Sequence, residues 1–124
     1  MKYILLPYLD EKAWHALSAE EQSQAMNECS PHVEWLVKSG RMISGAPLEG
    51  TWKASTVRRQ DGKPMVTDGP FAETREQLGG YTLIEAKDHA EAVEIAKGFF
   101  AAGEERFPAA IEVRPVVEYE LPGK

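Results

Sequence analysis

Cysteine is almost missing: Cys29 is the only one in 124 residues. No internal disulfide can staple the chain, and no cysteine-based zinc cage can form. Long apolar runs are missing too. The longest, Tyr3–Leu9, is interrupted by Pro7 and falls far short of the ~20 residues that a membrane span needs. The opening residues have too short an apolar stretch and no small-residue cleavage site for a secretory signal. A cytoplasmic protein without membrane contact is expected. Positive charge is the third scarcity, with 14 Lys and Arg against 20 Asp and Glu, a formal net of −6. A nucleic-acid binder carries a basic stripe that displaces counterions from phosphate. Here Arg58-Arg59 is the one basic pair, so direct contact with DNA or RNA is not expected. The three histidines, His15, His32 and His89, are dispersed and show no His-x-x-x-His spacing. Neither a metal site nor a cofactor is expected. Phosphate-cradling Gly-rich loops, nucleophile elbows and dinucleotide fingerprints are absent as well.

What is present fits one domain spanning residues 1–124, long enough to bury about two thirds of its surface. Tyr3–Tyr8 is apolar on both faces, as a covered strand is, with Pro7 marking its end or a bulge. Ser18-Ala-Glu-Glu21 is a capping box. It opens a helix whose apolar stripe is Ala25, Met26, Cys29, Val33, Leu36 and Val37, with a kink or break expected at Ser30-Pro31. Gly40 ends it. Strands follow at Arg41–Gly45, Ala54–Gln60 and Lys63–Thr67, the last two joined by the hairpin signal Asp61-Gly62. After a polar, turn-rich connection come a strand at Tyr81–Glu85, a helix capped by Asp88, and a strand over Ile111–Tyr119. The helix carries Ala92, Val93, Ala96 and Phe99 or Phe100 on its stripe, and Gly98 or Gly103 stops it. The order gives an α+β fold: a ferredoxin-like βαβ–βαβ frame with an added hairpin, a mostly antiparallel sheet, and both helices on one face.

Two helices cover one side of a sheet, yet these strands carry apolar side chains on both. Leaving such a face in water costs about 25 cal/mol per Å². A second copy stacked sheet to sheet removes that cost, so a homodimer is expected.

The connection Asp68-Gly-Pro-Phe-Ala-Glu-Thr-Arg-Glu-Gln-Leu-Gly-Gly80 is long for a compact domain, and loops of this length tend to be functional. Gly69 permits positive φ, Pro70 fixes its own, and Thr74–Gln77 has the pattern of one short helical turn. Asp68 can serve as a general base or ligand acceptor, or it can cap its own turn. Glu73 or Glu76 can supply a second carboxylate, or remain a solvated loop acid. His32 beside the first helix's stripe is a catalytic candidate, or a core histidine. Tyr8, Trp35, Trp52, Phe71 and Tyr81 can wall a pocket or simply fill core. Arg41 and Arg114 can grip an anion or pair with nearby acids. Cys29 reads as a small apolar residue.

The stretch Asp68–Tyr81 closely resembles the signature of the YCII-related family, in the branch marked by its Asp-Gly-Pro-Phe motif. Lys2-Tyr-Ile-Leu-Leu6, Gly40-Arg-Met-Ile-Ser-Gly-Ala-Pro-Leu48 and Ile111-Glu-Val-Arg-Pro-Val116 extend the resemblance to nearly the whole chain. It implies a ferredoxin-like domain that pairs into a dimeric α/β barrel. Some relatives resemble enzymes, among them a dehalogenase-type lyase, and one branch has a proposed His–Asp pair. The His of that branch falls near Cys29 here, with His32 a turn later, and Lys38-Ser39 stands where its Asp would be. Other relatives occur beside extracytoplasmic-function sigma factors, which implies an accessory role. The combined expectation is a homodimer binding an unidentified small molecule beside Asp68. His32 or Glu73 assists in acid–base, lyase-type chemistry, and Tyr8, Trp35, Arg41, Phe71 and Tyr81 line the site. The alternative is a non-catalytic accessory domain acting through protein contacts.

Overall fold

The computed structural model describes residues 1–100 and 107–123. Strand β1 (Lys2–Asp10) leads through a short helix α1 (Glu11–Ala16) into α2 (Ala19–Lys38). Strand β2 (Met42–Pro47) follows, then a 3-10 turn at Thr51–Lys53 and the hairpin β3 (Ser55–Gln60) and β4 (Lys63–Asp68). The chain returns through β5 (Glu76–Leu78), β6 (Gly80–Glu85), helix α3 (His89–Gly98) and β7 (Ala110–Pro115).

The main sheet runs β2-β6-β1-β7, and every pairing in it is antiparallel. This is the expected α+β frame. Each crossover, α2 from β1 to β2 and α3 from β6 to β7, lands two strands away. β5 lies against the same edge of β1 as β6, but one residue out of step: Leu5 faces Thr82, and Tyr8 faces Leu78. Among the described residues the sheet is open and closes no barrel. β3 and β4 form a two-stranded sheet of their own.

Local chemistry accounts for most boundaries. The Ser18 hydroxyl accepts from the Glu21 N–H and the Glu21 carboxylate accepts from the Ser18 N–H, a closed capping box. Asp88 caps α3 through the Glu91 N–H at 2.8 Å. The Asp61-Gly62 turn has φ of 52° and 77°, the left-handed pair that a two-residue hairpin of matching twist requires.

Several expectations need correction. Helix α2 passes through Pro31 unbroken. Pro31 is exposed, so the carbonyl it leaves without a donor belongs to exposed Asn27, where water can satisfy it. Along α2 the stripe that faces the body runs Ala25, Cys29, His32, Leu36; Met26 and Val37 are more than half exposed. β1 continues through Pro7 to Asp10, because Pro7 still pairs with Ile111 and accepts from the Gly79 N–H. Instead of a helical turn, Thr74–Gln77 leads into β5. The last strand stops at Pro115, not Tyr119, and the possible stop at Gly103 lies outside the described residues.

The core is Tyr3, Leu5, Leu36, Ile84, Ala86, Ala92, Ile95 and Ala96, with Met42, Phe99, Ile111 and Val113 packed around it. Parity along the strands follows from the register. Tyr3, Leu5, Ile84 and Val113 face the helices, while Ile4, Leu6, Tyr8, Tyr81, Leu83, Glu112 and Arg114 lie on the other face. The apolar members of that second set are only half-buried. The two-sided apolar pattern is therefore real, and no helix among the described residues covers its outer side.

Candidate functional site

Three of the expected residues meet in one place. His32 and Trp35 on α2, Arg41 just before β2, and Glu91, Glu94 and Ile95 on α3 line a cleft of about 370 Å³. The spacing explains the convergence. His32 and Trp35 are three apart on α2, and Glu91, Glu94 and Ile95 fall on one side of α3. Gly40, with φ of 76°, turns the chain so that Arg41 folds back beside them.

His32 Nε2 lies 2.8 Å from the Ile95 carbonyl. A carbonyl only accepts, so Nε2 carries the hydrogen between them, and Nδ1 is the ring nitrogen left for another partner. The ring stacks near-parallel on Trp35 at 5.6 Å and meets Phe99 edge-on at 4.7 Å. The Arg41 guanidinium sits 4.8 Å from the Trp35 ring centre. Its Nε lies 4.0 Å from Glu91, at the limit of an ion pair. The Glu91 carboxylate also accepts from the Lys87 N–H at 3.2 Å, while Glu94 pairs with Lys97 at 2.9 Å. Arg41 and Glu91 also border a second depression of about 470 Å³ with Met1, Ser39, Gly40, Glu85, Ala86 and Lys87. The arrangement offers a fixed imidazole, a loosely paired guanidinium and two carboxylates.

The expected centre at Asp68 looks different. Asp68 is exposed at the end of β4, and neither it nor Glu73 lines the cleft. Phe71 is 75% exposed. The Arg58 guanidinium lies 4.9 Å from the Phe71 ring centre and donates to its carbonyl. The cleft that holds His32 is therefore lined without any residue of the Asp68–Gly80 loop. The loop's contacts run instead to Arg58 on β3 and, through Arg75, to Asp10 at the end of β1. Tyr8 and Tyr81 belong to a third place, the uncovered sheet face. There the Tyr8 hydroxyl donates to Glu112 at 3.2 Å; burial, then this bond to a carboxylate, raises its pKa. Burial, with Glu28 adding to it, likewise raises the pKa of the Cys29 thiol, so it is a poor nucleophile. Trp52 packs edge-on against His15 at 4.6 Å, far in sequence from the cleft. Among the described residues no group of three or more His, Cys, Asp or Glu converges as a metal site, and no helix is long and apolar enough to cross a membrane.

Sequence reasoning missed Glu91, Glu94 and Ile95 as wall residues. Glu91 was legible only as the third residue of a helix cap. Its second role needed the spatial neighbour Arg41, which no local pattern supplies.

The sheet order, the two helices on one face and a cleft between them define an α+β domain with a ferredoxin-like frame. The chain belongs to the YCII-related domain family, whose model matches residues 1–120. An uncharacterised protein of Rhizobium meliloti (strain 1021) is 37% identical over 124 residues, which is all of this chain and 98% of that one. Among solved structures, the 5-chloro-2-hydroxyhydroquinone dehydrochlorinase (TftG) of Burkholderia phenoliruptrix AC1100, in complex with 2,5-dihydroxybenzoquinone, superposes with a TM-score of 0.53. The identity is 17%, and each chain is covered to 96%. That likeness concerns the fold.

Proposed function

We propose that this protein is a homodimer that binds a small molecule in the His32–Trp35–Arg41 cleft and performs acid–base, lyase-type chemistry on it. The observation that carries this reading is the meeting of His32, Arg41 and Glu91 in one cleft. His32 Nδ1 would accept the proton, since the Ile95 carbonyl already holds the ring by Nε2. Arg41 would hold the anionic oxygen that develops, because its long contact with Glu91 leaves most of its donors free. The structural neighbour is a dehydrochlorinase bound to a dihydroxyquinone, and small acidic phenols are accordingly the first compounds to try.

Two observations favour pairing. The accessible surface is 8855 Å², while a monomer of this mass exposes about 6,600 Å². The excess exceeds the roughly 800 Å² per partner of a standard interface. Stacking the Ile4, Leu6, Tyr81 and Leu83 faces of two copies would remove apolar surface from water, and sedimentation at micromolar concentration should give twice the chain mass. A single-chain mass there would end the pairing half of the reading.

The binding half is tested by thermal shift with 2,5-dihydroxybenzoquinone and small acidic or lactone-like compounds. A ligand at a hundred times its Kd stabilises by about 2.7 kcal/mol. That shift should shrink sharply in Arg41→Gln and in His32→Gln and persist in Asp68→Asn. Loss in Asp68→Asn alone would move the site to the loop. A second reading rests on the exposed Val57, Val66 and Phe71 of the hairpin and its loop: an accessory domain working through protein contacts, with a sigma factor as the first partner to try. It gains if no compound shifts the wild type.

A further inference from the structure

Beyond β7 the chain reads Val116-Val-Glu-Tyr-Glu-Leu-Pro-Gly123, and its side chains alternate with the two-residue period of a strand. Val117, Tyr119 and Leu121 are 84, 70 and 50% exposed, and Glu118 and Glu120 hold the alternate positions. The pattern is a strand's, but among the described residues it has no strand partner. Val116 N–H donates to the Lys2 carbonyl at 2.9 Å, and there β1 begins, so the sheet offers no further rung.

A second element has the complementary lack. The hairpin β3–β4 is a two-stranded sheet without a third strand, and such ribbons are marginal alone in water. Counting from its two-residue turn, Gln60–Lys63, Arg58–Met65 and Thr56–Thr67 are the hydrogen-bonded pairs. The next pair in that phase shows the bond directly, with Gly69 N–H donating to the Ala54 carbonyl at 2.7 Å. Arg59–Pro64, Val57–Val66 and Ser55–Asp68 therefore turn their backbone groups outward. On the β4 side Pro64 has no N–H to offer, which blunts that edge. On the β3 side Ser55, Val57 and Arg59 present a complete row, which makes β3 the receptive edge.

Faces and charges match as well. Val57 and Val66, each 66% exposed, share one face of the ribbon, and Val117, Tyr119 and Leu121 would extend it. Arg58 projects from the other face, where Glu118 and Glu120 would lie beside it. Arg59, the next residue, falls on the Val57 face, so Arg58, which also holds the Phe71 carbonyl, is the cation on the glutamates' side.

The chain's own tail cannot make this pairing. Pro115 is level with Tyr3, and Tyr3 with Ile84 and Met42. The tail thus leaves at one corner of the sheet, and the hairpin hangs beyond Pro47 at the diagonal corner. Three strand spacings and the length of β2 separate them by roughly 22 Å, while eight extended residues reach about 26 Å. Nothing would remain to pair.

We infer that Val117–Leu121 is the third strand of a second copy's hairpin, added along β3 and exchanged reciprocally across a two-fold axis. The exchange goes beyond the stacked-sheet dimer proposed above and can be tested apart from it. Amide hydrogen exchange at Ser55, Val57 and Arg59 is measured in the full chain and in a chain ending at Val116. The full chain should exchange at least tenfold more slowly at these amides. Unlabelled full chain mixed with isotope-labelled truncated chain should restore their protection. Glu118→Lys with Glu120→Lys should abolish the protection, and Arg58→Glu in the same chain should bring part of it back. Equal rates in full and truncated chains overturn the inference, as does protection that is independent of concentration. Sedimentation separates the two proposals. A dimeric full chain with fast β3 amides overturns only the strand exchange, and a monomeric one with fast amides overturns both. A truncated chain that stays dimeric after losing its β3 protection upholds both.

Discussion

The sheet-and-helix body and the β3–β4 arm obey the same local rules and end in different circumstances. In the body, Leu36 and Ile84 are completely buried and Leu5 nearly so. In the arm, Met65, Val66 and their neighbours on β4 are all exposed. The arm nevertheless has the sharper local code, a left-handed two-residue turn between strands of six residues each. Local geometry can therefore specify an element completely while leaving its free energy to contacts made elsewhere. The body holds itself together; the arm holds only its shape.

The largest way to break that contrast is to delete volume from each region. Leu36→Ala should cost about 2–5 kcal/mol, because a fully buried side chain leaves a cavity. Thermal unfolding should then start roughly ten degrees lower. Val66→Ala in the arm should cost less than about 0.5 kcal/mol in the isolated chain. Comparable losses at both positions in a monomeric sample would show that the arm is already buried within one copy. A smaller effect comes from the turn. Gly62 sits at φ 77°, where a side chain costs roughly 1 kcal/mol. Gly62→Ala should speed amide exchange across β3 and β4 and leave the melting temperature of the body within a degree or so. A matching fall in the global transition would mean that arm and body unfold as one unit.

The smallest effect is at an ion pair that ties the long loop to the body. The Asp10 carboxylate accepts from the Ala13 N–H at 3.1 Å and from Arg75 Nε at 3.3 Å. The Ala13 bond first, and Arg75 after it, lowers its pKa below the ordinary carboxylate value. A group with a depressed folded pKa stabilises above its unfolded value, near ~4, and loses that contribution as pH falls through the folded value. Urea unfolding of wild type and Asp10→Asn should therefore differ slightly at pH 7 and converge in acid. A gap that widens on acidification would contradict the assigned partners.

Elements with a self-contained signal were legible in the sequence: the capping box of α2, the Asp88 cap, the Asp61-Gly62 turn, and the two-sided strands. The places where reading failed depended on surroundings that the local letters do not carry. Thr74–Gln77 has the letters of a helix start, but Glu76 and Gln77 find rungs opposite Asp10 and Leu9, and pairing overrides the local pattern. Pro31 has the letters of a break, yet its solvent-facing position lets the helix run on. In the candidate site, Trp35, Arg41 and His32 were each nameable from residue type and position. Their union with Glu91 depends on how α2 lies across α3, which is a matter of packing, and the long loop drew attention to Asp68 because its signal is local.

Gly98, the last residue of α3, has a side-chain direction that points into the His32 ring. Any β-carbon there would overlap the imidazole and pry it from the Ile95 carbonyl. Positions 32 and 98 therefore form one steric unit, so that a chain gaining bulk at one must shed it at the other. An alanine at 98 paired with an intact histidine would be the rarest combination of the two.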